Sequence, residues 1–257
     1  MKKFATALLI SALPFFANAN ETIKVAASPV PHAEILEHAQ TLAPKDFNID
    51  VVVVTDYVLP NIMLNEGEVD ANFMQHQPYL DEFNKANDMT LVSVGGVHLE
   101  PLGGYSKKIK DVKDLPQNGK VALPNDPTNG GRALILLHNN GVITLTDPTN
   151  ILATIQDIKE NPKNLSFVEL EAPMLARTID EVDLALINTN FALDADLNPV
   201  KDALIIEDKN SPYVNIVVVK DGNNEKENVK ELMKILHSDE MKQFIETKYQ
   251  GSILPAF

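Results

Sequence analysis

Lys120-Val121-Ala122-Leu123-Pro124-Asn125-Asp126-Pro127-Thr128-Asn129-Gly130-Gly131-Arg132-Ala133-Leu134-Ile135-Leu136-Leu137 reads as a short buried strand, a turn-rich polar loop and a helix that opens near Arg132. Strand, loop and helix in that order are the repeating unit of α/β architecture. The N–H groups of a helix's first turn lack intrahelical partners and lie at the positive end of its macrodipole, so the loop is a natural holder of a small anion. Arg132 is expected among them, where a guanidinium can offer a forked pair of charge-assisted hydrogen bonds to one carboxylate. That chemistry favours a free amino or organic acid over a neutral sugar. A solvated surface charge is the other reading of the same arginine, and its position alone does not choose between them.

On either side of this stretch, β-branched runs alternate with amphipathic segments, the pattern of parallel sheets covered by helices. Strands are expected over 22–27, 51–54, 69–74 and 90–94, with helices over 32–42 and from Leu59 to a stop at Gly67. The four valines 51–54 suggest a strand buried on both faces. After a connection over 99–105, a second unit holds strands at 121–123, 165–170 and 184–187. A β stretch over 211–220 and a helical region over 228–249, broken near Ser238-Asp239, close the chain. Two sheets joined by extended crossings imply two lobes around a cleft, where concave surfaces bury small ligands.

Lys2 and Lys3, the apolar run from Phe4 to Phe16 and Ala17-Asn18-Ala19 form a secretory signal peptide with cleavage expected after Ala19. The run is shorter than the roughly 20 apolar residues of a membrane span. Removing the two lysines takes the formal charge from −14 to −16, because residues 1–19 hold no acid. A surface of that sign repels nucleic acid and anionic lipid. The chain contains no cysteine, which excludes disulfides, thiol nucleophiles and thiolate metal sites, and leaves no acceptor for an N-terminal lipid. A periplasmic protein without a lipid anchor is therefore expected.

Longer motifs add a family resemblance. Asp56-Tyr57-Val58-Leu59-Pro60-Asn61, Asp70-Ala71-Asn72, Gln75-His76-Gln77-Pro78-Tyr79-Leu80-Asp81, Gly104-Tyr105-Ser106-Lys107-Lys108-Ile109, the loop 124–129, Val168-Glu169-Leu170-Glu171-Ala172-Pro173, Ile187-Asn188-Thr189 and Ser211-Pro212-Tyr213-Val214-Asn215 occur in one order along the chain. Together they resemble the methionine-binding (MetQ/NlpA-type) substrate-binding proteins of ABC importers. The resemblance implies a two-lobed, type II-like periplasmic-binding-protein fold, each lobe a mostly parallel sheet flanked by helices. Residues 20–103 plus about 210–257 would form lobe 1 and about 104–209 lobe 2. Methionine or a close relative would lie in the interlobe cleft of a monomer that docks on a membrane permease. Neither cofactor, metal nor catalysis is implied.

Residue by residue, the resemblance gives Arg132 the ligand's carboxylate and Asn188 and Asn215 its amino-acid head group, with Asn129 in the polar loop ahead of the helix. An asparagine amide offers both an acceptor for an ammonium and donors for a carboxylate. Tyr57, His76 and Tyr79 match residues of the side-chain pocket. Each position also has a plainer reading. His76 and Tyr79 fit a capped turn, Asn188 fits a helix N-cap, and Tyr57 fits a loop anchor. Asn215, inside an apolar strand, needs a partner of some kind.

Two positions depart from the family pattern. Met74 stands where an aromatic usually precedes the Gln-His pair, and strand alternation turns Phe73 to the opposite face. A thioether wall adapts to varied shapes, so L-methionine, D-methionine, a methionine-containing dipeptide or another small amino acid all remain open. Asn190 after Thr189 is a smaller change. A secreted hydrolase is the rival reading, but the chain has no Gly-x-Ser-x-Gly, Walker or His-Glu-x-x-His motif and its six histidines are scattered. Glu169 and Glu171 share a strand face without an evident acid or base partner.

Overall fold

The computed structural model describes residues 21–257, so the expected signal peptide lies outside the described residues. The first elements in chain order are β1 (Glu21–Ala27), α1 (Glu34–Leu42), β2 (Phe47–Val53), α2 (Leu59–Glu66), β3 (Ala71–His76), α3 (Gln77–Asn87) and β4 (Leu91–Leu99). There follow β5 (Gly103–Tyr105), β6 (Lys120–Pro124), α4 (Pro127–Asn139), β7 (Thr144–Leu145), β8 (Ile158–Glu160), β9 (Ser166–Leu170), α5 (Ala172–Leu175) and β10 (Leu184–Ile187). The last are α6 (Thr189–Asp194), α7 (Pro199–Asp202), β11 (Ile205–Ile206), β12 (Val214–Lys220), α8 (Glu227–Leu236), α9 (Asp239–Tyr249) and β13 (Leu254–Pro255).

Two sheets organise these elements, in the orders β13-β4-β12-β3-β1-β2 and β11-β5-β10-β6-β9. The chain leaves the first sheet after β4 and returns to it at β12. Parallel pairing is confined to β2-β1-β3 and β10-β6-β9, where helical crossovers link the strands. The strands that enter or leave a lobe pair antiparallel, β12 with β3 and β4, and β5 with β10 and β11. A chain returning from the other lobe needs no crossover helix, so nothing forces its strand parallel. Each sheet is therefore mixed. Its helices bury their apolar faces: Val229, Leu232 and Leu236 of α8 pack with Ile23, Val25 and Val217 in one core, and Ala133, Leu134 and Leu137 of α4 with Val121 and Leu184 in another.

Three expectations change. Of the four valines, 51–53 belong to β2, an edge strand, where Phe47 and Ile49 are inside, Val51 and Val52 are half-buried and Val53 is 53% exposed; Val54, just past the strand, is buried. The helix expected to open at Arg132 begins five residues earlier, at Pro127, because Asp126 caps it and proline suits the first helical position. Arg132 thus lies in the second turn. At β3 the pairing runs Gln75 to Ile216 and then Phe73 to Val217, which leaves Met74 as the extra residue of a bulge. A bulge bends its strand and re-aims a side chain.

Candidate functional site

All eight residues singled out from the sequence line one cavity between the two sheets. Tyr57, Met74, His76, Tyr79 and Asn215 come from the first lobe, and Asn129, Arg132 and Asn188 from the second. The space between atoms there is about 340 Å³, part of it open to solvent. Phe73, as alternation predicts, points away from it, into the core edge-on to His32 with ring centroids 4.7 Å apart.

Arg132 is 3% exposed, which rules out the solvated-charge reading. Its fork, however, is already engaged. Nε donates to Oε1 of Glu207 at 2.8 Å, Nη2 donates to Oε2 of the same carboxylate, and Nη2 also donates to the Glu100 carbonyl at 2.7 Å. The guanidinium stacks over the Tyr213 ring, 4.2 Å from its centroid. Burial alone would lower the arginine's pKa, and the charge and hydrogen bonds of Glu207 overcome that and raise it. The expected forked grip on a ligand carboxylate is thus corrected: the two-point contact goes to Glu207, leaving the Nη1 edge without a hydrogen bond among the described residues. The helix N-terminus is likewise occupied, since Oδ1 of Asp126 accepts from the Asn129 N–H at 2.9 Å.

From that cap a chain of hydrogen bonds runs into the cavity and fixes the orientation of each amide. Asp126 can only accept when ionised, so the Asn129 amide turns its Nδ2 toward it, at 3.1 and 3.0 Å from the two carboxylate oxygens. Asn129 Oδ1 then faces the other way, where it accepts from Asn188 Nδ2 at 2.9 Å and lies 3.1 Å from His76 Nε2. His76 Nδ1 accepts from the Tyr79 N–H at 3.2 Å, capping α3, so Nε2 carries the proton. Burial and the Arg132 charge push this imidazole down to about 3, which keeps it neutral. The last group in the chain, Asn188 Oδ1, is buried without a partner among the described residues. Asn188 occupies the N-cap position of α6 but makes no capping bond, so its side chain is committed to the cavity.

Asn215 finds its partner in His32, whose Nε2 lies 2.9 Å from Oδ1. Tyr57 donates its hydroxyl to Asn190 Oδ1 at 2.6 Å, joining the two lobes across the cleft, and Tyr79 donates to the Tyr57 carbonyl at 3.1 Å. Burial raises the pKa of Tyr57 well above its ordinary value, so the phenol stays a donor.

Four further residues line the cavity that were not among the sequence candidates: Gln75, Glu100, Thr189 and Asn190. Glu100 is 5% exposed, accepts from the Asn190 N–H at 3.0 Å, and lies 2.7 Å from His98 Nε2 and 3.4 Å from His32 Nε2. Burial raises its pKa, against the opposing pull of His32 and Arg132, while burial lowers His32 to about 4 and His98 to about 3. His32, His98 and Glu100 bring three potential metal ligands within 4.8 Å of one another, although the nearest ring nitrogens already serve Asn215 and Glu100. The histidines that look scattered along the chain are in part a cluster in space. The signal for Glu100 lay in Val97-His98-Leu99-Glu100, where two polar residues two apart share one face of an apolar strand. Glu169 and Glu171 are exposed and take no part.

Comparison with known proteins fits this architecture. The family model for NlpA lipoprotein matches residues 23–257. The chain belongs to the NlpA lipoprotein family. A Yersinia pestis member, named D-methionine-binding lipoprotein MetQ, is 46% identical over 233 residues, covering 89% of this chain and 86% of its own. The Bacillus subtilis methionine-binding lipoprotein MetQ is 45% identical over 239 residues, covering 91% of this chain and 87% of that one. A nutrient-binding protein from Burkholderia cenocepacia, solved bound to methionine, superposes with a TM-score of 0.89 at 44% identity, over 91% of this chain and 100% of that one. The two-lobed periplasmic-binding fold is the family's. The expectation of an unanchored periplasmic protein is corrected here: this is a lipoprotein family whose relatives are named lipoproteins, which points to a membrane-anchored location. That expectation rested on the absence of cysteine from the sequence, which offers no thiol to carry a lipid, so the anchored location is that of the named relatives.

Proposed function

We propose that this NlpA-family protein is the substrate-binding component of an ABC importer, taking methionine or a closely related amino acid into its cleft and delivering it to the permease. The observation that carries this reading is the cavity, which sets a buried arginine edge and an unpartnered carbonyl, Asn188 Oδ1, beside a thioether and aromatic wall of Met74, Tyr57 and Tyr79. An α-amino acid with an unbranched apolar side chain offers the matching anion, ammonium and thioether. We assign the ligand contacts to Tyr57, Met74, His76, Tyr79, Asn129, Arg132, Asn188 and Asn215.

The lobes divide at residues 20–103 plus about 210–257, and about 104–209, in keeping with the membership of the two sheets. No bond of the ligand is made or broken. Contacts from both lobes stabilise the closed form, and the permease reads that form. Useful capture needs micromolar affinity, about 8 kcal/mol. Burial of a thioether chain together with one charge-assisted anion contact is of that order after ordering costs.

The test is native mass spectrometry of freshly purified protein, followed by calorimetric titration of L- and D-methionine into protein stripped by unfolding and refolding. Saturable micromolar binding of one molecule per monomer supports the reading. Absence of binding to either enantiomer refutes it.

A further inference from the structure

Asn190 is the second residue of α6, is 3% exposed and lines the cavity. Its backbone N–H is taken by Glu100 and its Oδ1 by the Tyr57 hydroxyl. The second bond sets the sense of the amide. Were the amide reversed, Nδ2 would donate to the Tyr57 oxygen, and both the phenol hydrogen and the buried Oδ1 would be left without a partner among the described residues. In the sense observed, Nδ2 is buried without a hydrogen-bond partner among the described residues. A buried donor held in that way calls for an explanation, because such groups are almost always matched.

The arrangement around Arg132 supplies one. Glu207 takes both arms of the guanidinium fork, so the arginine can offer a ligand only its Nη1 edge. A carboxylate has two oxygens and needs a second donor. Glu100 ties the two candidates together, its carbonyl accepting from Arg132 Nη2 and its carboxylate from the Asn190 N–H. Asn188 Oδ1, as an acceptor, suits the ammonium instead.

We propose that Asn190 Nδ2 is a ligand contact which donates to the α-carboxylate beside Arg132 and sets the preference for a free carboxylate over a neutral carboxyl derivative. The assignment rests on the amino-acid-binding reading above. It makes Asn190, a departure from the family's sequence pattern, part of the head-group site.

The experiment titrates L-methionine and L-methioninamide into the wild type, Asn190→Ala and Asn190→Asp by calorimetry, with circular dichroism to confirm folding. Asn190→Ala weakens L-methionine about tenfold, the loss expected of one hydrogen bond to a charged group. Asn190→Asp weakens it about a hundredfold or more, since an anion replaces the donor and faces the ligand's own charge. It tolerates the amide better, because the amide's N–H can donate to the new carboxylate. The ratio of the two dissociation constants therefore shifts at least about tenfold toward the amide in Asn190→Asp. A residue that acted only through Tyr57 would weaken both compounds alike, so an unchanged ratio overturns the assignment, as does affinity for L-methionine within twofold of wild type in both variants. A wild-type protein that binds neither compound overturns the functional reading and this assignment with it.

Discussion

Asp126→Asn is the sharpest perturbation of the site, because it changes one atom at the head of the hydrogen-bond chain that orients Asn188. Asparagine caps helices about as well as aspartate, so Oδ1 of the new residue can still accept from the Asn129 N–H. Loss of the charge at the N-terminus of α4 costs about 0.3–1 kcal/mol. The difficulty lies at Oδ2, which becomes an NH₂ group facing Asn129 Nδ2, now 3.0 Å away. Two donors cannot pair. If Asn129 turns over to relieve the clash, its NH₂ meets Asn188 Nδ2 and the protonated Nε2 of His76, both of which need an acceptor. If Asn129 stays, its Nδ2 keeps only the 3.1 Å contact to Oδ1; if it turns, a buried donor is left unmatched, at about 1–3 kcal/mol. With Asn129 turned, Asn188 loses the bond that aims its carbonyl into the cavity, so the cost appears in binding, about 10–100-fold in Kd for L-methionine. The melting temperature falls by only a few degrees, about 2–4 °C per kcal/mol for a chain of this size. Calorimetric titration alongside a thermal melt separates the two effects. Binding within twofold of wild type would show that the chain from Asp126 does not orient the site.

Arg132→Met leaves the Glu207 carboxylate without its partner while its side chain is only 14% exposed. Stability should drop by about 3–5 kcal/mol, with much of it regained in Arg132→Met/Glu207→Leu; an unshifted urea midpoint in the single variant refutes the pairing. Acid should also destabilise the protein. His32, His76 and His98 are held at about 4, about 3 and about 3, below the ordinary 6.5, first by burial. Below pH 6.5 the unfolded chain takes up protons that the folded chain refuses, so their contribution is full above 6.5 and falls as pH drops toward 4. Glu100, raised by burial, works in the opposite sense and loses its contribution as pH rises, but three imidazoles outweigh one carboxyl. The urea midpoint should be lower at pH 5 than at pH 7, and an equal or higher one contradicts the neutral imidazoles. In Gly131→Ala the new Cβ would overlap the Ile151 carbonyl oxygen, a backbone atom beside α4. Overpacking of this kind costs about 1–3 kcal/mol, and a melting temperature unchanged from wild type would show that the loop gives way freely.

Where local chemistry decides the structure, the sequence was easy to read. The strand at 184–187 is where its apolar run places it, and Ser238 caps α9 where the helical region was expected to break. Gly67 ends α2 with φ +81°, a conformation suited to glycine. The valines 51–54 misled because burial depends on a strand's place in the sheet, and nothing local tells an edge from a centre. The eight candidate residues gather in one cavity, yet their chemistry is set by partners distant in sequence. Arg132 meets Glu207, Asn215 meets His32, and Tyr57 meets Asn190, each across a gap that no spacing rule spans. His98 and Glu100 carried a local sign of burial, but their pairing with His32 requires the folded lobe.

The grip on Arg132 has a mechanical consequence. The residues that hold it, Glu100 on one side and Glu207 with Tyr213 on the other, sit on the two segments by which the chain passes between lobes, after β4 and before β12. A body fastened beside a pivot travels little when the arms swing. On the proposed hinge motion the guanidinium is therefore the part of the site that moves least, with Tyr57 and His76 on the other lobe closing toward it. On the proposed reading, an arriving anion meets a finished cation before the jaws move, and the order of events is anchoring first, enclosure second.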